Sequence, residues 1–189
     1  MYYVVKYTGQ FGFIKPWTAV RDSETFSQQF LTPSIVEGIE KKLFPELLNE
    51  TGIKKIVRHR LSYASLELQT EVTWAKKRKI WKEKNIYKSN NAIITRGVML
   101  HPALYIAFEN GNDAEVAFSQ TVCLARNEDL LFPIESKQME TDEFDNLNGF
   151  ELIFSNSAEG FKVGHNRFDD SEMFGSLKAF GNPIQTNYE

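Results

Sequence analysis

The order of predicted secondary-structure elements places the tightest limit on what this chain can fold into. Residues 2–7 are rich in β-forming types and predict a first strand. A helix is predicted next, because Thr32 is a good capping residue and Pro33 suits the first helical position, which needs no backbone N–H. Apolar residues then recur at every fourth position from Ile35 to Leu43, while charged residues occupy the other faces. This helix should therefore pack through one apolar stripe.

Further strands and a second helix follow. The pattern predicts four extended segments and one short helix between the last two of them: 53–68, 92–95, 103–109, 121–125 and the helix 113–119. Strand, helix, strand and again strand, helix, strand is the order of a ferredoxin-like βαββαβ domain, so an α+β fold of this type is expected over residues 1–140. The acidic, Asn- and Gly-rich remainder, residues 141–189, predicts a small C-terminal extension or subdomain.

Charge is distributed unevenly along the sequence. Residues 54–96 carry twelve basic and three acidic side chains, whereas residues 97–189 carry five basic and sixteen acidic ones. A strongly basic segment in an otherwise acidic protein predicts a polyanionic partner such as nucleic acid. A solvated basic surface and a module that binds an acidic protein are the alternatives. Periodicity leaves open whether the most basic part, residues 75–88, forms a hairpin or a short helix.

Composition argues against several other classes of protein. With 42% apolar residues, the chain supports a buried core and is not disordered. The sequence has no apolar run long enough for a membrane-spanning helix and no leader pattern, so a cytoplasmic protein without membrane contact is expected. Cys123, the one cysteine, lies in an apolar run and predicts a buried thiol. No metal-ligand pattern or phosphate-binding glycine loop occurs, so neither a metal nor a cofactor is expected.

Three blocks of sequence together resemble one known family. Residues 32–38 begin a helix with Thr-Pro-Ser and place a glycine four residues after the serine. Residues 95–106 combine an arginine, a leucine, a proline and a tyrosine at the entry to a strand, and residues 124–128 read Leu-Ala-Arg-Asn-Glu, with Ala125 where glycine is usual. In this order, with a basic insertion between the first two, the blocks resemble CRISPR-associated protein family five, a branch of the RAMP superfamily.

The resemblance implies both a fold and a function. The fold would be the RAMP or RRM-like version of the ferredoxin-like domain, with a basic β-hairpin thumb inserted at about residues 70–95. The function would be that of a non-catalytic subunit of a Cascade-type effector complex in antiviral defence, which holds the 5′ handle of the CRISPR RNA (crRNA). The partners implied are the crRNA, the backbone subunits of the Cas seven type and the large subunit, with target DNA reached through the complex.

The candidate RNA-binding residues combine cations with flat rings, because single-stranded RNA is held by charge on its phosphates and by stacking of its bases. The thumb supplies most of them: Trp74, Lys76, Lys77, Arg78, Lys79, Trp81, Lys82, Lys84, Tyr87 and Lys88. The other candidates are Lys15, Trp17, Arg21, Gln28, Ser34, Arg58, Arg60 and Arg96. Ser34 is included because a helix start offers free N–H groups to a phosphate. Trp17 fits a core position equally well.

The alternative function is a metal-independent endoribonuclease that processes precursor crRNA. Such an enzyme needs a base near the RNA 2′-hydroxyl and a cation that stabilises the developing negative charge. His59, Tyr63 and Lys55 are the candidate catalytic residues. They share one face only if the strand that carries them is regular.

Overall fold

The computed structural model describes residues 1–17, 24–75, 77–155 and 160–185. In chain order its elements are β1 (Tyr2–Thr8), β2 (Phe11–Gly12), β3 (Glu24–Phe26), α1 (Pro33–Leu43), β4 (Ile56–Ser62), β5 (Ser65–Trp74), β6 (Ile80–Glu83), β7 (Ile86–Ser89), β8 (Asn91–Leu100), β9 (Ala103–Phe108), α2 (Gly111–Phe118), β10 (Val122–Cys123), β11 (Leu130–Met139), α3 (Thr141–Asp145), β12 (Gly149–Ser155), β13 (Phe161–His165) and β14 (Glu172–Phe180). A 3₁₀ turn, Pro45–Leu47, follows α1. The predicted α+β class is confirmed, with mostly antiparallel strands and few helices. No helix in the described ranges is long and apolar enough to cross a membrane.

The larger sheet contains eight strands in the order β10-β11-β1-β9-β4-β12-β14-β13. Its main core lies between one face and the helices α1 and α2, where Val36 and Ala117 join strand residues such as Val5. The Tyr7 hydroxyl donates a hydrogen bond of 2.6 Å to the carbonyl oxygen of Ala117, which ties α2 to β1. Successive strand residues face opposite sides, so the neighbouring Val4 packs on the other face, where α3 covers it with Phe144.

The path of the chain through the sheet follows from these connections. α1 lies in the connection from β1 to β4, and α2 lies in the connection from β9 to β11. The four strands concerned are neighbours in the order β11-β1-β9-β4, and each adjacent pair is antiparallel. Cys123 at the β10 edge is only partly buried, so the predicted burial of its thiol is incomplete.

The C-terminal part of the chain continues the same sheet. β12 lies beside β4, with Phe150 opposite Leu61, and β14 and β13 follow it outward. The loop between β13 and β14 also reaches α1, because the amide nitrogen of Asn166 donates to Glu37 at 3.0 Å. The described residues from 141 onward are therefore packed against both the sheet and a helix of the N-terminal part.

Several polar residues of α1 are buried, although the repeat pattern places them away from the apolar stripe. Glu40 accepts backbone N–H groups from Lys54, Lys55 and Ile56 at 2.6–3.1 Å, which positions the start of β4. Glu37 pairs with Lys41 at 3.0 Å under the β13–β14 loop. A second layer of contacts beyond the apolar stripe thus holds α1, and the buried charges are paired or hydrogen-bonded as burial requires.

A long antiparallel hairpin extends from the ends of β4 and β9. Its strands β5 and β8 pair without a register break, from Ser65 opposite Leu100 to Trp74 opposite Asn91. β6 and β7 form a smaller hairpin at the far end, and Lys84 and Asn85 both have positive φ, as a tight two-residue turn requires. The basic segment is therefore a β-hairpin and not a helix. Its strands begin and end beyond the predicted range of about 70–95.

Candidate nucleic-acid interface

The tip of the hairpin, residues 77–90, concentrates exposed positive charge. Six basic side chains lie there and all are exposed: Lys77, Arg78, Lys79, Lys82, Lys84 and Lys88. The tip has one acidic residue, Glu83, whose carboxylate pairs with Lys88 at 2.6 Å. The other five cations form no ion pair with any described residue. A surface of this kind attracts polyanions and releases their counterions on binding.

Aromatic rings accompany the cations of the tip. Trp74, Trp81 and Tyr87 are 62%, 46% and 74% exposed, so none of the three rings is buried against the body of the protein. Trp81 lies opposite Lys88 and Tyr87 opposite Lys82, so strand alternation puts the two rings on opposite faces of the tip. The Arg78 guanidinium lies 3.6 Å from the centre of the Trp74 ring. Both faces of the tip therefore present a flat ring beside a cation, as base stacking requires.

A cluster of four charged residues fixes the hairpin to the rest of the protein. It consists of Glu71, Arg96, Arg126 and Asp129, and we call it the base cluster, after the base of the hairpin. The Glu71 carboxylate in β5 accepts hydrogen bonds from Arg96 at 2.9 Å and from Arg126 at 2.7 Å. Arg126 also binds both carboxylate oxygens of Asp129, which is buried and accepts the backbone N–H of Phe13 at 2.8 Å. Arg96, a predicted RNA contact, is thus already engaged by a carboxylate. The sequence reading missed Glu71 and Asp129, although the spacing of Arg126 and Asp129 is a signal for such a pair.

Arg58 and Arg60 are both engaged by carboxylates, and Arg58 is partly exposed. Arg60 is fully buried and bonds Glu151 at 3.0 Å, and Arg58 bonds the two carboxylate oxygens of Glu151 at 2.6 and 2.7 Å. Burial alone would raise the pKa of Glu151, but the hydrogen bonds and charge of the two arginines lower it below its ordinary value. The prediction that Arg60 contacts RNA is therefore wrong, and Arg58, also bonded to Asp145, serves the same buried cluster. We call Arg58, Arg60 and Glu151 the buried arginine cluster.

The remaining candidates are scattered. Ser34 is buried at the start of α1, where the backbone N–H groups of Ile35 and Val36 bond the carbonyl oxygen of Thr32, and a phosphate contact at this helix start stays a prediction. The Gln28 amide nitrogen donates to the carbonyl oxygen of Phe30 at 2.8 Å. Lys15 is exposed, and Trp17 is half exposed with its ring beside Gly164 of β13. Two further candidates, Arg21 and Lys76, lie outside the described residues.

The three candidate nuclease residues occupy separate environments. The Lys55 ammonium binds Asp113 at 2.8 Å and Glu46 at 3.0 Å. The Tyr63 hydroxyl donates to Gln29, and the buried His59 ring stacks on Phe154. The register shifts between Ile56 and Arg58, so the regular alternation that would align Lys55 with His59 is broken. No hydrogen bond joins any two of the three candidates, and a buried His59 has no path to an RNA hydroxyl.

Replacing His59 by phenylalanine is expected to make the free energy of unfolding less dependent on pH in the acid range. Burial lowers the pKa of His59 to about 4 from 6.5, while Glu151 acts to raise it and Arg58 and Arg60 act to lower it. Below pH 6.5 this histidine binds a proton in the unfolded chain, whereas in the folded protein it stays neutral until the pH nears 4. The free energy of unfolding therefore falls by about 3 kcal/mol as the pH drops from about 6.5 to about 4. Denaturant unfolding at several pH values between about 7 and 4.5 measures the slope.

The exposed His165 provides the matched control, because His165→Asn removes a histidine of similar chemistry from the surface. This variant should keep the acid dependence of the unsubstituted protein. An unchanged slope in His59→Phe would show that another group carries it.

A groove separate from the tip lies where the hairpin meets the larger sheet. This open groove of about 700 Å³ is lined by apolar residues of β2 and β11, and its lining also includes Lys6, His101 and Glu128. Sequence reasoning did not identify it, because its apolar residues come from β2 and β11, far apart in the chain. With one cation, the groove lacks the charge that distinguishes the tip.

Comparison with known proteins gives one kind of match. No protein-family model matches the sequence, and no curated protein matches it. Among solved structures, a chain of a structure described as a CRISPR RNA-guided surveillance complex superposes with a TM-score of 0.55, at 6% sequence identity. The match covers 97% of this chain and 91% of that chain. The protein therefore shares its fold, over nearly its whole length, with a chain of such a complex.

Proposed function

We propose that this protein is a non-catalytic, RNA-binding subunit of a Cascade-type CRISPR effector complex. The observation that carries the proposal is the tip of the hairpin, where exposed rings project from the body together with five cations that form no ion pair with a described residue. Single-stranded RNA is held by cations that contact its phosphates and by aromatic rings on which its bases stack. The fold shared with a chain of an RNA-guided complex supports the same assignment.

The finer assignment is a ferredoxin-like RAMP core of CRISPR-associated protein family five. It is supported by the neighbour order β11-β1-β9-β4 with a helix in each crossover, which is the arrangement expected of a βαββαβ core. On this assignment the hairpin formed by β5 to β8 is the thumb. The strands β12 to β14 are the extension beyond the core.

The RNA held by the tip is the 5′ handle of the crRNA. Phosphates meet the lysines, and unstacked bases meet Trp81 and Tyr87 on the two faces of the tip. Backbone subunits and the large subunit of the complex are the expected protein neighbours, and target DNA is reached through them. The engaged states of Lys55, His59 and Tyr63 favour binding over cleavage.

The test is to purify the protein with its native complex, extract the RNA and sequence the 5′ ends. We expect small RNAs with one shared 5′ sequence of several nucleotides, because a handle grip selects a common end. The same preparation should leave an added repeat RNA intact in EDTA. Complexes without RNA, RNA with random 5′ ends or cleavage in EDTA would each contradict the proposal.

A further inference from the structure

The outer edge of β5 is long, regular and free. β5 runs for ten residues, and within the described residues it pairs with β8 alone. Its register with β8 has no bulge, and its sequence contains neither proline nor glycine. An unpaired edge of this kind presents a row of N–H and C=O groups that another strand can pair with.

β11, which also has a long edge, differs from β5 because it is protected against pairing with a further strand. Over most of its length β11 also has one side that pairs with no described strand, but it carries Pro133 and a break in register opposite Lys6 and Tyr7. Proline and bulges are the devices by which folded proteins block pairing at sheet edges. β5 has neither proline nor a bulge, so its backbone edge remains able to pair with a further strand.

An exposed apolar stripe lies beside this free edge. Leu68, Val72 and Ile93 are 60%, 69% and 64% exposed. Val72 pairs directly with Ile93, and even-numbered residues of β5 share one face, so all three belong to the same side of the hairpin. A second strand added at the edge would extend the sheet and give these side chains apolar neighbours.

The sequence of β5 is complementary to itself in one register. If two copies pair antiparallel about Thr70, Leu68 lies opposite Val72 of the second copy, and Leu66 lies opposite Trp74 of the second copy. On the other face, Glu71 lies opposite Gln69 of the second copy.

The neighbouring registers are less favourable. A two-fold axis through Gln69 would bring Glu67 opposite Glu71, and an axis through Glu71 would bring Glu71 opposite itself. Directly opposed like charges destabilise a strand pair. Among the registers that keep the glutamates apart, the one about Thr70 makes the most apolar pairs.

We propose that β5 is a self-association surface, at which two copies of this chain pair antiparallel about a two-fold axis through Thr70. The two four-stranded sheets then form one continuous sheet across the dimer. Antiparallel pairing sends the two basic tips in opposite directions, with the Trp74 residues displaced by about 27 Å along the strands. This separation exceeds the screening length of about 8 Å at physiological salt, so the tips do not oppose pairing.

The test uses single cysteines in the full-length protein with Cys123 replaced by serine. Thr70→Cys should form a disulfide-linked dimer under mild oxidation, because residues opposite each other in a strand pair have Cα atoms about 4.5–5.5 Å apart, within disulfide range. Glu67→Cys is the matched control on the other face. Its mate in the second copy would be displaced by about 20 Å, so it should not cross-link. A mixture of Glu67→Cys and Thr73→Cys proteins should cross-link.

Light scattering during gel filtration provides an independent readout. After nuclease treatment and in high salt, the unsubstituted protein should have the mass of a dimer at tens of micromolar, and Leu68→Lys or Val72→Lys should have half that mass. A monomeric unsubstituted protein, or equal cross-linking of Thr70→Cys and Glu67→Cys, would overturn the proposal. Because nucleic acid is removed beforehand, these outcomes are separate from those that test RNA binding.

Discussion

Replacing Lys77, Lys79, Lys82 and Lys84 together by glutamine is expected to weaken single-stranded RNA binding roughly 100-fold at about 0.15 M salt. Each of these lysines is exposed, and none forms an ion pair with a described residue. If each neutralises one phosphate, the slope of log affinity against log salt becomes shallower by about 3, at about 0.7 per phosphate. Fluorescence anisotropy with a labelled RNA carrying the recovered 5′ end, repeated over a salt series, measures both quantities.

The chain offers a control with the same change in net charge. Lys42, Lys137, Lys162 and Lys178 lie on elements outside the hairpin, and their joint replacement by glutamine should change RNA affinity by no more than about threefold, because salt weakens the effect of charges that do not contact the RNA. If this variant loses as much affinity as the tip variant, the overall charge of the protein governs binding. The tip would then not be the contact.

The second large effect is expected in the buried arginine cluster. Glu151→Gln keeps the shape of the side chain but removes the charge that faces Arg58 and Arg60. Removing one partner of a buried ion pair leaves the other charge uncompensated, so we expect the free energy of unfolding to fall by about 3–5 kcal/mol. Denaturant unfolding monitored by circular dichroism measures the loss.

A surface carboxylate serves as the comparison for Glu151. Glu135 pairs with Lys137 at 3.4 Å and both side chains are about half exposed, so Glu135→Gln should cost less than about 1 kcal/mol. The lowered pKa of Glu151 also predicts the direction in which stability changes with pH. The stability due to Glu151 is complete above the pKa of the unfolded chain and is lost as the pH falls through the lower pKa of the folded state. Equal losses from both variants would contradict the assignment of a buried pair.

Local sequence patterns gave the N-terminal strand, α1 and the short second helix, because each depends on spacing within a few residues. The shape of the basic segment was not predictable from its periodicity. Ile80, Trp81, Ile86 and Tyr87 are exposed on both faces of the tip, so no buried side imposes an alternating pattern. Lys84 and Asn85 form the turn of the hairpin because both have positive φ, and the composition alone does not reveal this backbone geometry.

The misplaced candidates share a different cause. Arg60 was assigned to RNA because it lies in a basic segment, but its carboxylate partner is 91 residues away. Glu37 likewise looked exposed on α1, and the residue that covers it, Asn166, is 129 residues away. Contacts of this length depend on the whole fold. Sequence reasoning therefore anticipated the exposure of the side chains in the tip, but not the burial of charges whose partners come from distant strands.

The base cluster has a consequence for how this protein would respond to its surroundings. Glu71, Arg96, Arg126 and Asp129 attract one another where much of the solvent is excluded, whereas the cations of the tip stand in open water. Salt screens exposed charges far more than partly buried ones. Raising the ionic strength should therefore release a bound polyanion, while the base cluster still holds the hairpin against the rest of the protein. On the proposed function, RNA would therefore dissociate at high salt from a hairpin that keeps its bound conformation.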